Sequence, residues 1–104
     1  MVRLWFREVV KFGHIKDYKA ACKAWNEAAV PLGLPPVRYF SSGWGIDNEI
    51  YGEADFEDAA DIDRRFAAAA AANDSTYDAA VASINEHVAE GQRYTWVLSD
   101  MPLG

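Results

Sequence analysis

Four short segments of the chain carry large apolar residues at both odd and even positions. They are 4–10 (LWFREVV), 37–40 (VRYF), 49–52 (EIYG) and 94–98 (YTWVL). Successive residues of a strand point to opposite faces of a sheet, so a strand with one wet face is apolar only at alternate positions. These segments therefore predict four strands whose sheet needs a cover on both faces.

The stretch after the first strand has the spacing of a helix. The strand is expected to end near Lys11, and the helix to run from Lys16 to Val30. Its apolar stripe consists of Tyr18, Cys22, Trp25, Ala29 and Leu32. Gly33 is expected to stop the helix, and the two prolines at 35 and 36 force an extended entry into the second strand, 37–42.

The segment 43–48 (GWGIDN) has the residues of a hairpin connection, because glycine, Asp and Asn tolerate positive φ. The third strand, 49–54, would then return antiparallel. Asp55 can cap the helix that follows, with Asp58 three residues further on. The stripe of this second helix is Ile62, Phe66 and Ala69 or Ala70.

Asn73 and Asp74 are expected to break the second helix after six consecutive alanines, 67–72. Asp74 or Ser75 then caps a third helix that runs to about Ala89 and ends at Gly91. Its inward face is Tyr77, Val81, Ile84 and Val88. The fourth strand would cover 93–99.

The order of elements predicts an α+β fold. With right-handed crossovers, βαββααβ closes as a ferredoxin-like four-stranded antiparallel sheet with helices on one face. A chain of 104 residues makes one domain, 1–104, and has helices for only one face of the sheet. A second copy of the same sheet is the simplest cover for the other face, so we expect a homodimer.

Composition excludes several partners and says little about chemistry. The formal net charge of −6 argues against nucleic acid and discourages binding to anionic membranes. No secretory signal or membrane span is visible, so a cytoplasmic location is expected. The single cysteine, Cys22, forms no intrachain disulfide, and its place on a helix stripe favours a buried, inert thiol over a nucleophile.

The chain resembles the dimeric α+β barrel superfamily, and within it the NIPSNAP-like proteins. The resemblance is carried by 12–18 (FGHIKDY), 31–35 (PLGLP), 49–58 (EIYGEADFED) and the alanine-rich helix broken at 72–77 (ANDSTY). It implies a homodimer whose two sheets close into a barrel, with a ligand cleft between the sheet and the helices of each subunit. Members include cofactor-independent monooxygenases, haem-degrading enzymes and isomerases, so the fold does not select a function.

The sequence gives no reason to expect a cofactor. Haem-degrading members use an Asn on strand one, a Trp on strand three and a His on the later helix. This chain offers Arg7 or Glu8, Tyr51 and His87, so only the histidine is comparable. The two histidines, His14 and His87, lie far apart on unlike elements, and no dinucleotide or phosphate loop is present.

Three polar side chains are candidates for a catalytic site in the cleft. Arg7 would hold a substrate anion, Tyr51 would orient it, and His87 would move a proton. A one-residue error in register would replace Arg7 by Glu8. The simpler interpretation of His87 is a side chain that is solvated or interacts with the carbonyls at the helix end. For His14 the simpler interpretation is a capping or solvated side chain.

The arginines also have a structural interpretation. Arg7 and Arg38 occupy strand interiors, where an arginine is costly to bury unless it meets an anion. Glu8, Glu49 and Glu53 are available for ion pairs. The four tryptophans and five tyrosines can likewise line an aromatic pocket or pack in a core and interface, and Trp44 can plug the partner or gate the cleft.

We therefore expect a homodimer that binds a small hydrophobic or aromatic molecule in the cleft. One version of this hypothesis is a cofactor-independent monooxygenase or isomerase. The alternative is a non-catalytic binding or assembly module. An enzyme needs His87 or an arginine that faces a cavity, whereas a module leaves that space filled by Trp and Tyr.

Overall fold

A four-stranded antiparallel sheet carries the α-helices on one of its faces. The computed structural model of the chain describes residues 1–42 and 48–104. The elements are β1 Val2–Val10, α1 Ile15–Ala29, β2 Arg38–Ser41, β3 Glu49–Phe56, α2 Ala59–Ala71, α3 Ser75–His87 and β4 Val88–Ser99. A short 3-10 helix, Val30–Leu32, follows α1. The predicted α+β, ferredoxin-like βαββααβ arrangement is confirmed.

The strand order is β2-β3-β1-β4, so β1 and β3 are the central strands. Leu4, Phe6 and Glu8 of β1 lie against the helices, and we call this side the helix face. Residues alternate along a strand, so Trp5 and Arg7 lie on the opposite side, which we call the open face. Within the described residues, no helix covers the open face, and none is long and apolar enough to cross a membrane.

The first helix matches its predicted stripe closely. Tyr18, Cys22, Trp25 and Ala29 are all buried against the sheet or the other helices. The α-helix ends at Ala29 and passes into the 3-10 turn, which Gly33 terminates with a left-handed φ of 96°. The N–H of Gly33 donates to the carbonyl of Val30 at 3.0 Å, so the glycine satisfies a helix-end acceptor.

The cap of α2 is Asp58, and the expectation that Asp55 caps this helix is wrong. The Asp58 carboxylate accepts the N–H of Asp61 at 2.7 Å. Asp55 is still part of β3, which continues to Phe56 because Phe56 is buried and pairs with Val2 of β1. The cap of α3 is Asp74, whose carboxylate accepts the N–H of Tyr77 at 2.9 Å.

The third helix ends earlier than its sequence suggests, and Gly91 does not terminate it. Helix α3 stops at His87, and β4 begins at once with Val88, which pairs with Val10. Pairing with β1 therefore prevails over the helical pattern that reaches Ala89. The register between β1 and β4 shifts between Glu8 and Val10.

The predicted hairpin connection, 43–48, lies outside the described residues except for Asn48. Asn48 has a left-handed φ of 66°, a conformation that asparagine tolerates. The expected plugging or gating role of Trp44 likewise falls outside the described part of the chain.

Asp61 and Arg65 connect α2 to the loop that follows α1. The Asp61 side chain is only 2% exposed, and it accepts hydrogen bonds from the Glu57 N–H at 3.1 Å and from Arg65 Nε at 2.9 Å. Arg65 also donates to the carbonyl of Gly33 at 2.9 Å, and so links α2 to the loop after α1. The Glu57 amide, and then Arg65, hold the pKa of Asp61 below its usual range.

Candidate ligand-binding cleft

A cleft of about 210 Å³ lies between the helix face of the sheet and the helices. Its walls are mostly apolar, with the strands as floor and the helices as roof. They include Leu4, Phe6, Trp25, Phe56, Phe66 and Ile84. Concave, largely apolar spaces with a few fixed polar groups are typical of small-molecule sites.

Gly52 shapes the floor of the cleft. It pairs with Phe6 of β1 on one side and with Tyr39 of β2 on the other. A Cβ atom at Gly52 would lie 2.1 Å from Cζ of Phe6. The missing side chain therefore lets the Phe6 ring lie across the strand, where it meets the Tyr39 ring edge-on at 5.9 Å.

Glu8 and Arg93 form a charge pair in the cleft lining. Glu8 is 3% exposed, and both of its carboxylate oxygens are engaged. The Tyr18 hydroxyl donates to Oε1 at 2.6 Å, and Arg93 Nε donates to Oε2 at 2.6 Å. A buried carboxylate is tolerable when it is paired and hydrogen-bonded in this way.

Arg93 is the side chain of the pair that faces outward. Its side chain is 45% exposed, whereas the Glu8 side chain is 4% exposed. Glu8 holds the guanidinium through Nε and Nη2, so the edge that includes Nη1 is turned away from that carboxylate. A planar guanidinium fixed in this way is suited to bind an oxyanion or a carbonyl oxygen.

The tyrosines behind the pair remain protonated. Burial, and then the charge of Glu8, raise the pKa of Tyr18 far above its usual range. Burial also raises the pKa of Tyr39 strongly. Tyr18 thus acts as a hydrogen-bond donor that fixes Glu8, and not as an acid.

Cys22 provides a direct check on how α1 packs. The residue is 5% exposed, and burial raises the pKa of its thiol to about 11, well above the ordinary value for cysteine. This rise reduces the thiolate population near neutral pH on the order of 100-fold, and the thiolate is the reactive species. Reaction with a chromogenic disulfide should therefore be at least about 100-fold slower in native protein near neutral pH than in denaturant.

The single cysteine makes this labelling unambiguous. The native rate should increase as the pH approaches the thiol pKa. Rapid native labelling near neutral pH would mean that α1 does not pack with this face inward.

Two of the predicted site residues lie on the open face, outside the cleft. Arg7 pairs with Tyr51 across β1 and β3. Arg7 Nε is 3.2 Å from Glu49 without a hydrogen bond, and the Tyr51 hydroxyl donates to the same carboxylate. The Arg7 guanidinium lies over the Tyr94 ring, 5.0 Å from its centre.

His87 is separate from both residues. It is the last residue of α3, half-buried, and its Nδ1 lies 2.9 Å from Nδ1 of His14. Arg7, Tyr51 and His87 thus do not meet in the cleft, because strand alternation directs Glu8 there and Arg7 to the other face. Their catalytic roles remain predictions. The two histidines, which lie far apart in the sequence, are in contact.

Comparison with known proteins identifies the fold. No protein-family model matches this chain, and no curated protein matches its sequence. A NIPSNAP family protein of unknown function from Agrobacterium tumefaciens is 22% identical, with a TM-score of 0.80 over 100% of this chain and 91% of that one. The chain has the fold of the NIPSNAP family proteins.

Other solved structures share the NIPSNAP-type fold. An uncharacterized NIPSNAP domain protein from Burkholderia xenovorans is 10% identical, with a TM-score of 0.80 over 100% of this chain and 98% of that one. An antibiotic biosynthesis monooxygenase is 14% identical, with a TM-score of 0.71 over 98% of this chain and 100% of that one. The predicted NIPSNAP-like fold is confirmed, and identities this low concern the fold alone.

Proposed function

We propose that the protein binds a small hydrophobic or aromatic molecule with an anionic or accepting oxygen, in the cleft between sheet and helices. The observation that carries this proposal is the Glu8–Arg93 pair beside an apolar space of about 210 Å³. Apolar walls favour a ring system through burial of its surface. The fixed guanidinium favours an oxygen at one end of that ring system.

A catalytic version of this proposal is a cofactor-independent monooxygenase or isomerase. Negative charge develops on a substrate oxygen when a phenol or ketone is converted to its phenolate or enolate. Arg93 would stabilise that charge from a fixed position. The shared fold with an antibiotic biosynthesis monooxygenase supports this version.

The alternative is a non-catalytic binding or assembly module, in which aromatic side chains fill the space. Trp25 and Tyr39 line the cleft and leave it open, with Arg93 beside them. This arrangement supports a ligand site over a purely structural role. Oxygen uptake or solvent-deuterium exchange with a bound naphthol that depends on Arg93 would support catalysis; binding with neither would support the module.

The second part of the proposal is a homodimer formed through the open face. Its aromatic residues include Trp5, Phe40, Tyr51, Tyr94 and Trp96. Trp96 and Tyr94 are 41% and 44% exposed in the single chain. Aromatic rings are the side chains most enriched at protein interfaces, so a second copy of this sheet is a suitable cover.

The charges of the open face support the same partner. Arg38 Nε donates to Glu53 at 3.0 Å and Arg3 Nε donates to Asp55 at 2.9 Å. Arg7 and Glu49 form a third ion pair, so three arginines balance three carboxylates on the open face. Two copies can therefore approach through this face although the chain has a net charge of −6. We expect an obligate-class interface above about 2,000 Å².

The ligand site is tested with two probes that share a ring system, 2-naphthoate and 2-naphthylmethanol. Calorimetric titration should give tighter binding of the carboxylate. Arg93→Gln should lower the affinity for the carboxylate by about 10- to 100-fold, because charge-assisted hydrogen bonds contribute about 1.5–3 kcal/mol. The affinity for 2-naphthylmethanol should stay nearly unchanged. The exposed residue Lys16 provides a matched control, Lys16→Gln, which should change neither affinity.

A second variant separates binding from folding. Arg93→Gln leaves the buried Glu8 without its cation, so this variant is expected to be less stable. The double variant Glu8→Gln/Arg93→Gln removes both charges and keeps the approximate shape. It should fold, bind the alcohol and show no preference for the carboxylate. A preference that persists in the double variant would contradict the role of Arg93.

A further inference from the structure

The contact between His14 and His87 joins two elements that are 73 positions apart. The two Nδ1 atoms are 2.9 Å apart, the ring centres are 5.2 Å apart and the ring planes are inclined by 59°. Both residues are partly exposed, so solvent and solutes reach the pair. Neither histidine lines the cleft, and the pair plays no part in the function proposed above.

The backbone holds both histidines in place. The N–H of Lys11 donates to the carbonyl of His87 at 2.9 Å, and the N–H of His14 donates to the carbonyl of Lys11 at 3.0 Å. The N–H of Tyr18 donates to the carbonyl of His14 at 2.8 Å. These hydrogen bonds join the end of α3, the turn after β1 and the start of α1. They fix the Cα atoms of His14 and His87 relative to each other.

We propose that His14 and His87 form a binding site for a divalent transition-metal ion, with Cu²⁺ preferred. Imidazole nitrogens bind such ions at about 2.0–2.1 Å, so two nitrogens 2.9 Å apart subtend about 90° at the metal. This is the angle between neighbouring ligands in the square-planar and octahedral geometries of Cu²⁺ and Ni²⁺. A tetrahedral Zn²⁺ ion needs a separation of about 3.3 Å and should bind less tightly.

The metal ion takes the place of the proton that lies between the two nitrogens in the metal-free protein. That proton passes to solvent or to Nε2 of the same ring, and each ring turns slightly about χ2, a soft torsion. His87 ends α3, where the helix dipole favours a cation. Within residues 1–42 and 48–104, no group of three or more His, Cys, Asp or Glu side chains is placed to hold a metal. The site is therefore open to water and exchangeable.

The full chain is titrated separately with Cu²⁺, Ni²⁺ and Zn²⁺ near neutral pH, and calorimetry measures the binding. We expect one equivalent of Cu²⁺, with affinity in the order Cu²⁺ > Ni²⁺ > Zn²⁺. His14→Gln and His87→Gln should each lower the Cu²⁺ affinity at least about tenfold, because each removes one of two protein ligands. The double variant should bind Cu²⁺ no more tightly than either single variant, since a single imidazole already cannot chelate the ion.

A spectroscopic measurement on the unmodified protein does not depend on the variants folding. Electron paramagnetic resonance of the bound Cu²⁺ should show nitrogen coupling, and the NMR signals of His14 and His87 should be broadened first. Broadening first at Met1 would locate the ion at the amino terminus and overturn the proposal. Equal affinity and stoichiometry for the native chain and the double variant would overturn it as well.

Discussion

Replacing Trp96 by aspartate is expected to convert the protein from a dimer into a monomer. Trp96 lies on the open face, where its ring is 5.2 Å from the ring of Trp5 and 6.4 Å from that of Tyr94. If a second copy covers this face, Trp96→Asp removes a large apolar contact and buries a carboxylate with no partner. An unpaired buried charge costs several kcal/mol, so the dissociation constant should rise more than about 1,000-fold.

Sedimentation velocity at micromolar concentration measures this effect directly. The native chain should sediment as a particle of twice the chain mass of 11.6 kDa, and the Trp96→Asp variant as a particle of 11.6 kDa. Val30 is 44% exposed and lies at the end of α1, away from the open face, so Val30→Asp is the matched control and should remain dimeric. A native chain that sediments only as a monomer would refute the proposed dimer.

Gly52→Ala is expected to close the cleft. The new methyl group would overlap the Phe6 ring, since three ring atoms lie 2.1, 2.5 and 2.8 Å from the Cβ position. The ring must move, and the space beside it is the cleft that it lines. Overpacking of this kind costs about 1–3 kcal/mol of stability. Affinity for 2-naphthylmethanol should fall about tenfold or more, because a displaced phenyl ring occupies the ligand volume.

A compensating substitution distinguishes a blocked cleft from a damaged fold. Phe6→Ala/Gly52→Ala removes the ring that the new methyl group displaces, so probe binding should return to within a few-fold of the native value. Phe6→Ala alone should enlarge the cleft and retain binding. If Gly52→Ala binds the probe as the native chain does, the Phe6 ring does not bound the ligand site.

The sequence predicts the elements of this fold well and the direction of its side chains poorly. Helix spacing identifies the buried face of α1, and the strand segments identify the sheet. The strands are apolar on both faces, so alternation alone cannot decide whether Arg7 or Glu8 faces the helices. The Tyr18 hydroxyl decides it, because α1 brings that group to Glu8.

The role of Arg93 could not be predicted for a related reason. At the predicted start of the fourth strand, a charged residue is usually solvated. Strand β4 begins five residues earlier, at Val88, and its register places Arg93 opposite Glu8. A register across two distant strands depends on long-range pairing, which a single sequence does not encode locally. The His14–His87 contact escapes prediction for the same reason.

The balanced charges of the open face have a consequence for how copies of this chain behave in crowded solution. Among the side chains that the structure describes, the three arginines and three carboxylates of that face cancel, so they contribute nothing to the formal charge of −6. If two copies pair through the open face, as proposed above, the negative charge on the remaining surface opposes contacts made through any other face. Each copy then has a single face for association, so we expect association to stop at the pair rather than continue into larger aggregates.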